Sequence, residues 1–269
     1  MPLARIFWLR IFLYGFVLVD VLVTTSWVSM HGSVSPELYR PLWLARVFAL
    51  PAPGPWLVIG TKIALVVGAG IAMTGRRPRL TGTIVFVLYL EWMLIAFSYG
   101  KVNHDRVAFL VALSVLPTVG EARRETTPSD AAGWAIRCIQ VTVVLTYFLA
   151  AFAKLRYGGI EWLNGATLLR AVLRRGTWVG DAMRDFPMLL RAGQYALVAF
   201  ELGSPLLLSR GRLGRVYLWL AVAFHMVTWA ALKISFLPHV VCLLAFVPLE
   251  TLHRPARLAS PEIPHPAPP

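Results

Sequence analysis

The apolar residues of this chain gather into long runs, separated by short charged or proline-rich segments. The runs predict helices over about 6–28, 55–74, 80–99, 105–119, 132–155, 190–208, 213–233 and 235–250. Most of them approach or reach the roughly 20 residues that cross a bilayer as helix. They do not alternate, as lipid-facing barrel strands must. A helix is the other backbone that satisfies its own polar groups inside lipid. The expectation is an all-α, polytopic transmembrane bundle of about eight helices filling residues 1–250, followed by a proline-rich, disordered tail over 251–269. The fourth run is short, which predicts a helix that tilts or begins in a protein-lined cavity. The first run is too long for the apolar region of a signal peptide and is read as a membrane helix.

Two connecting segments stand out. Residues 29–54 contain Pro36, Pro41, Pro51 and Pro53, and read as a surface loop with a short interfacial helix. Residues 156–189 carry Trp162, Leu163, Leu168, Leu169, Val172 and Leu173 among arginines. At helical spacing this predicts an amphipathic helix lying on the membrane or across the mouth of the bundle.

Composition agrees with the pattern. Hydrophobic residues make up 58% of the chain and charged residues 14%, against about 25% charged in an ordinary soluble domain. The net charge of +13 would raise the question of nucleic acid in a soluble protein. Here the basic residues fall in loops, and no nucleic-acid partner is expected; the partner is the lipid bilayer. With eight helices, the basic loops at 76–79, 121–125, 210–215 and 253–257 share one side with Arg5 and Arg10. The positive-inside rule then predicts a multi-pass protein of the cell membrane with both termini cytoplasmic and the amphipathic 156–189 segment extracytoplasmic. Cys138 and Cys242 each lie inside an apolar run and read as inert thiols without a disulfide framework.

Polar residues inside the runs carry the candidate chemistry, because an ionisable group in lipid costs about 2.5–3.5 kcal/mol on insertion scales. They are Asp20, Lys62, Glu91, Arg137, Gln140, Lys154, Glu201, His225 and Lys233. Gln140, Tyr147 and Lys154 recur every seven residues, so they share one face of the fifth helix. Two readings of Lys154 stand side by side: a buried base, or a side chain that snorkels to the outer interface. Asn103 or Asp105 reads as a cap on the fourth helix, which leaves His104 free for proton transfer or hydrogen bonding. His225 reads as an interhelical donor. Glu201 is expected to pair with a basic residue such as Lys62 or Arg137. No metal site is expected, since His104, His225 and His239 lack a ligand-type spacing. Phosphate loops, nucleophile elbows and dinucleotide fingerprints are absent from the sequence.

The run YFLAAFAKLRYGGIEWLNGATL (147–168) resembles the YF-AG-KL signature, with its following W and G-AL positions, of the horizontally transferred transmembrane domain. That domain is shared with vitamin K-dependent gamma-carboxylases. NHDRVAFLVALSVLP (103–117), ELGSPLLL (201–208) and AFHMVTWAALKISFLPH (223–239) are similar to further family segments and follow in the same order. The resemblance covers about residues 5–250. It implies Lys154 as a base toward a reduced, vitamin K-like quinone, with His104 and His225 as catalytic helpers. Asn103, Tyr147, Gln140, Glu201 and Trp162 are expected to line the cofactor site, with the 156–189 segment as its lid. The carboxylases continue into a large lumenal domain that docks their protein substrate. Here the helices lead into the short tail, so the resemblance does not carry that docking scheme over. Two functions follow as expectations: a carboxylase-like enzyme using a quinone-like cofactor, or a non-catalytic membrane protein that binds lipid or a partner protein.

Overall fold

The computed structural model describes residues 1–122, 124 and 127–253. Among these the chain is an all-α bundle. Its elements are α1 (Leu3–Val19), α2 (Trp43–Val47), α3 (Pro55–Met73), α4 (Pro78–Phe97), α5 (Val107–Val115) and α6 (Asp130–Gly158). They continue with α7 (Ala166–Arg175), α8 (Trp178–Arg184), α9 (Pro187–Leu202), α10 (Arg212–Leu232) and α11 (Leu237–Cys242). Short 3-10 turns join several of them. Among the described residues, five helical stretches are long and apolar enough to cross a membrane: Leu3–Thr24, Pro55–Met73, Pro78–Phe97, Asp130–Gly158 and Arg212–Leu232. The other three expected spans fall on shorter pieces: α5 with its 3-10 extension to Val119, α9 with Ser204–Leu208, and α11 with Leu243–Phe246. The tail expected over 251–269 lies outside the described residues beyond His253, as do Arg123 and Glu125 of the charged 121–125 loop.

Helix boundaries follow local chemistry. Pro55 and Pro78 occupy first helical positions, where a missing N–H costs nothing. Ser129 caps α6 by accepting the Ala132 N–H at 3.3 Å, and Gly159 ends it with φ 62°, a conformation that favours glycine. With 29 residues, α6 is about 43 Å long at 1.5 Å per residue. It overshoots a hydrocarbon core of about 30 Å.

The outer faces are as apolar as the inner ones. On α3, Val58, Leu65, Ala69 and Ala72 are buried, while Trp56, Ile59, Ile63, Val67 and Ile71 are exposed. A helix that is apolar all round fits a lipid surround. In such a setting helices associate through close packing and polar ties. Gly82 of α4 shows the packing: a Cβ there would meet the Tyr14 hydroxyl at 2.5 Å and the Pro117 ring at 2.8 Å.

The expected short fourth span begins inside protein, not lipid. Asp105 and Arg106 are buried in a single 3-10 turn, and Ala108, Phe109, Ala112 and Leu113 of α5 are fully enclosed. The N-terminus and residue 250 lie at one end of the bundle. Arg5 grips Glu250 at 2.5 and 2.6 Å, and Met1 and Ser129 exchange backbone hydrogen bonds. His104, the end of α6, α7, α8 and the end of α10 lie at the other.

Candidate functional site: a polar cluster at one end of the bundle

Four helices and two 3-10 turns converge on a cluster near the second end. α6 contributes Tyr147 and Lys154 from one face, as their spacing predicts. Lys154 lies ten residues past the α6 midpoint, about 15 Å along the axis. Its ammonium meets both carboxylate oxygens of Glu201 on α9, at 2.7 and 2.6 Å. Trp162, held in the 3-10 turn after α6, places its ring 5.6 Å from the same ammonium. α9 stops one residue after Glu201, at Gly203 and Ser204, so the carboxylate sits at a helix break.

Deeper in, the Tyr147 hydroxyl and His225 Nε2 are 2.6 Å apart. The other His225 ring nitrogen has no hydrogen-bond partner among the described residues. His239 of α11 packs edge-on against the Tyr147 ring at 4.5 Å between centroids. It is 2% exposed, yet neither ring nitrogen has a partner among the described residues. These rings, with His104, Asp105 and Glu201, line a small cavity of about 40 Å³. That volume admits a water molecule or two, and the free imidazole nitrogens supply polar partners for it.

A second, larger cavity of about 560 Å³ adjoins the first. His104, Thr146 and Ala150 belong to both. Its far walls are Val107, Leu145, Leu149 and Ala153, and Lys154 stands at its polar end. His104 thus faces a buried polar chamber on one side and an apolar groove on the other. His104 is partly open to the surroundings; the partial desolvation of its ring lowers its pKa from the ordinary 6.5 against the pull of Asp105, and the cations Lys154 and Lys101 push the same way.

The turn that carries His104 is fixed by a network that the sequence did not announce. Arg106 binds Asp20 of the first helix at 2.5 Å and the Tyr89 hydroxyl at 2.9 Å. Tyr89 also donates to Asp20 at 2.8 Å. Asp20 opens a π-helical turn, Asp20–Thr24, and takes hydrogen bonds from Thr24 and Thr25. The Trp92 ring N–H donates to Thr25 at 2.9 Å. Asp20 was legible as a costly intramembrane charge. Its partner was not, because Arg106 lies 86 positions away in a run that reads as a helix cap. The requirement that such a charge find a cation was the available signal.

Several expected site residues fall elsewhere. Gln140 donates to the Ala245 carbonyl at 2.9 Å and lies two helical turns from Tyr147; it ties α6 to the 3-10 turn Leu243–Phe246 that follows α11 and lines neither cavity. Asn103 is exposed, makes no side-chain cap and also lines neither cavity. Glu201 pairs with Lys154, not with Lys62, which reaches Ser29 at 3.1 Å, nor with Arg137. The amphipathic segment forms α7 and α8 but roofs a groove between α9 and α10, not the cavities at His104. Among the described residues no three His, Cys, Asp or Glu side chains are grouped to hold a metal. Cys138 and Cys242 are free thiols.

The arrangement defines an all-α, polytopic membrane-type bundle with a paired charge, a tyrosine and three histidines at one end. No protein-family model, characterised protein or solved structure matches the chain.

Proposed function

We propose that the cluster moves a proton to or from a lipophilic, quinone-like ligand that enters from the bilayer through the groove beside α6. The carrying observation is that His104 stands on the wall shared by the apolar groove and the polar chamber, with the Lys154–Glu201 pair at the groove's polar end. A reduced quinone fits this lining: a flat ring and isoprenoid tail suit apolar walls, and its hydroxyl suits the basic end. When bound, such a ligand supplies an acidic phenolic O–H and reversible redox chemistry.

The chain's residues would then act as follows. Transfer of one proton from Lys154 to Glu201 leaves a neutral amine beside the groove, within a low-dielectric site where a neutral pair is accessible. That amine accepts the ligand's proton, as a general base must. His104, held neutral, accepts a hydrogen bond from the ligand. Tyr147 and His225 form a fixed pair in the chamber behind, and Trp162 shields the ammonium from water. The resemblance to the carboxylase membrane domain supports the same ligand class and the same lysine. The basic loops at the Arg5–Glu250 end support a cytoplasmic location for the N-terminus and residue 250.

A second reading has its own observation. The bidentate bond to Glu201 already neutralises Lys154, as a purely structural tie would. In that case the bundle binds lipid or a partner without catalysis. Extraction of the detergent-purified protein, followed by mass spectrometry, separates the two. The enzyme reading expects a copurifying isoprenoid quinone, lost when Ala150→Trp fills the groove. No quinone in the native protein, and no saturable uptake of an added naphthoquinone, would favour the structural reading.

A further inference from the structure

A further cavity lies on the far side of Phe224 from this cluster. It is a groove of about 600 Å³ between α9 and α10. Small residues carve it: Gly193, Ala196 and Ala199 on α9, and Ala223 and Ala231 on α10. It follows α10 from Tyr217 to Leu232, about 22 Å at 1.5 Å per residue. The groove offers no free polar group. The Tyr217 hydroxyl is bonded to the Phe200 carbonyl, and the Thr228 hydroxyl donates to the Phe224 carbonyl at 2.7 Å. Phe200 and Phe224, stacked at 4.7 Å, form its inner wall. Phe224 also lines the small polar chamber, so an aromatic partition separates the two spaces.

One end of the groove is built differently. Leu168 of α7 and Met183 of α8 close it. The Thr177 hydroxyl bonds the Ala231 carbonyl at 2.6 Å, which pins the junction of α7 and α8 to the end of α10. Arg174 and Arg175 immediately precede this junction, and Lys233 immediately follows α10. All three are exposed. None has an ion-pair partner among the described residues; Lys233 rests on the Trp229 ring at 4.5 Å. Three cations without an ion-pair partner among the described residues therefore lie, by chain connectivity, within a few residues of one end of an apolar groove.

We infer that this groove is a binding site for an anionic glycerophospholipid, with one acyl chain between α9 and α10 and the phosphate at Arg174, Arg175 and Lys233. The occupant is a lipid because the groove is apolar along its whole length and α10 presents Trp219, Leu220, Met226 and Val227 to the surroundings. It is anionic because a zwitterionic headgroup brings an ammonium that three neighbouring cations repel, whereas an anionic headgroup presents its phosphate without one. Each basic residue near a lipid surface contributes about 1 kcal/mol to attraction of an anionic headgroup.

The test is native mass spectrometry on the full chain, stripped of lipid in detergent and titrated with dioleoylphosphatidylglycerol or dioleoylphosphatidylcholine. The native protein should take up phosphatidylglycerol preferentially. The exposed triple variant Arg174→Gln, Arg175→Gln, Lys233→Gln should lose at least about tenfold in affinity for it while its phosphatidylcholine binding stays unchanged. Ala196→Phe, which fills the groove, should weaken both lipids, with Ala223→Leu as a second filling variant if the first fails to fold. Equal binding of the two lipids by the native protein overturns the inference. So does a phosphatidylglycerol preference untouched by the triple variant, or one untouched by both filling variants.

Discussion

Lys154 and Glu201 define the chemistry of the cluster through their dependence on each other. Neither charge has another ion-pair partner among the described residues, and Glu201 is buried. Removing one member of such a pair costs about 3–5 kcal/mol because the other is stranded, while replacing both by apolar groups is often neutral. Glu201→Gln should therefore lower the unfolding midpoint in detergent far more than the double variant Lys154→Met, Glu201→Leu. Equal losses would mean the charges are not coupled. His104 gives a pH signature. Its pKa is lowered in the folded state from an ordinary 6.5, so below pH 6.5 the unfolded chain binds the proton first. Stability then falls with falling pH in that window. Thermal melts at pH 7.5 and 5.5 should show a larger acid loss for the native protein than for His104→Gln; identical losses would contradict the assignment.

At the scale of elements, the turn bearing His104 is held by charge and not by its own helix propensity. Arg106 joins it to Asp20 and Tyr89, and a lone turn of three residues has no other anchor of that strength. Asp20→Asn should accordingly speed amide exchange at residues 103–107, read by hydrogen–deuterium exchange, and leave α9 and α10 protected. Uniform loosening of the whole bundle would show a general core defect instead. The long helices were legible because hydropathy and length are local properties: α3, α4, α6 and α10 fall within a few residues of the predicted spans. The shared face of Tyr147 and Lys154 was legible from periodicity alone. Which carboxylate meets Lys154, and which cation meets Asp20, depends on helix neighbours, and a single sequence does not encode those in any local pattern. Gln140 shows the same limit. Its spacing places it on the cluster's face of α6, but two turns of helix carry it to the Ala245 carbonyl, beyond the cavities.

The whole molecule concentrates its polar groups unevenly. The end holding Arg5 and Glu250 closes with an ion pair and backbone ties. The other end opens into two grooves, one beside α6 and one between α9 and α10, on either side of the Tyr147, Phe200 and Phe224 rings. His104 and Lys154 stand together at that end, on the walls of the groove beside α6. The amphipathic segment was expected above them, and it roofs the second groove because α7 and α8 bury Val172, Leu190 and Ala231 together. The central claim is that the first groove delivers a lipophilic ligand to His104 and Lys154. A photoreactive isoprenoid quinone, cross-linked to the protein in reconstituted vesicles and mapped by peptide mass spectrometry, tests it most directly. The account predicts saturable labelling at the groove, on residues 104–107 and 142–154, competed by unmodified quinone. Labelling confined to the outward face of α3, or labelling that never saturates, would contradict it.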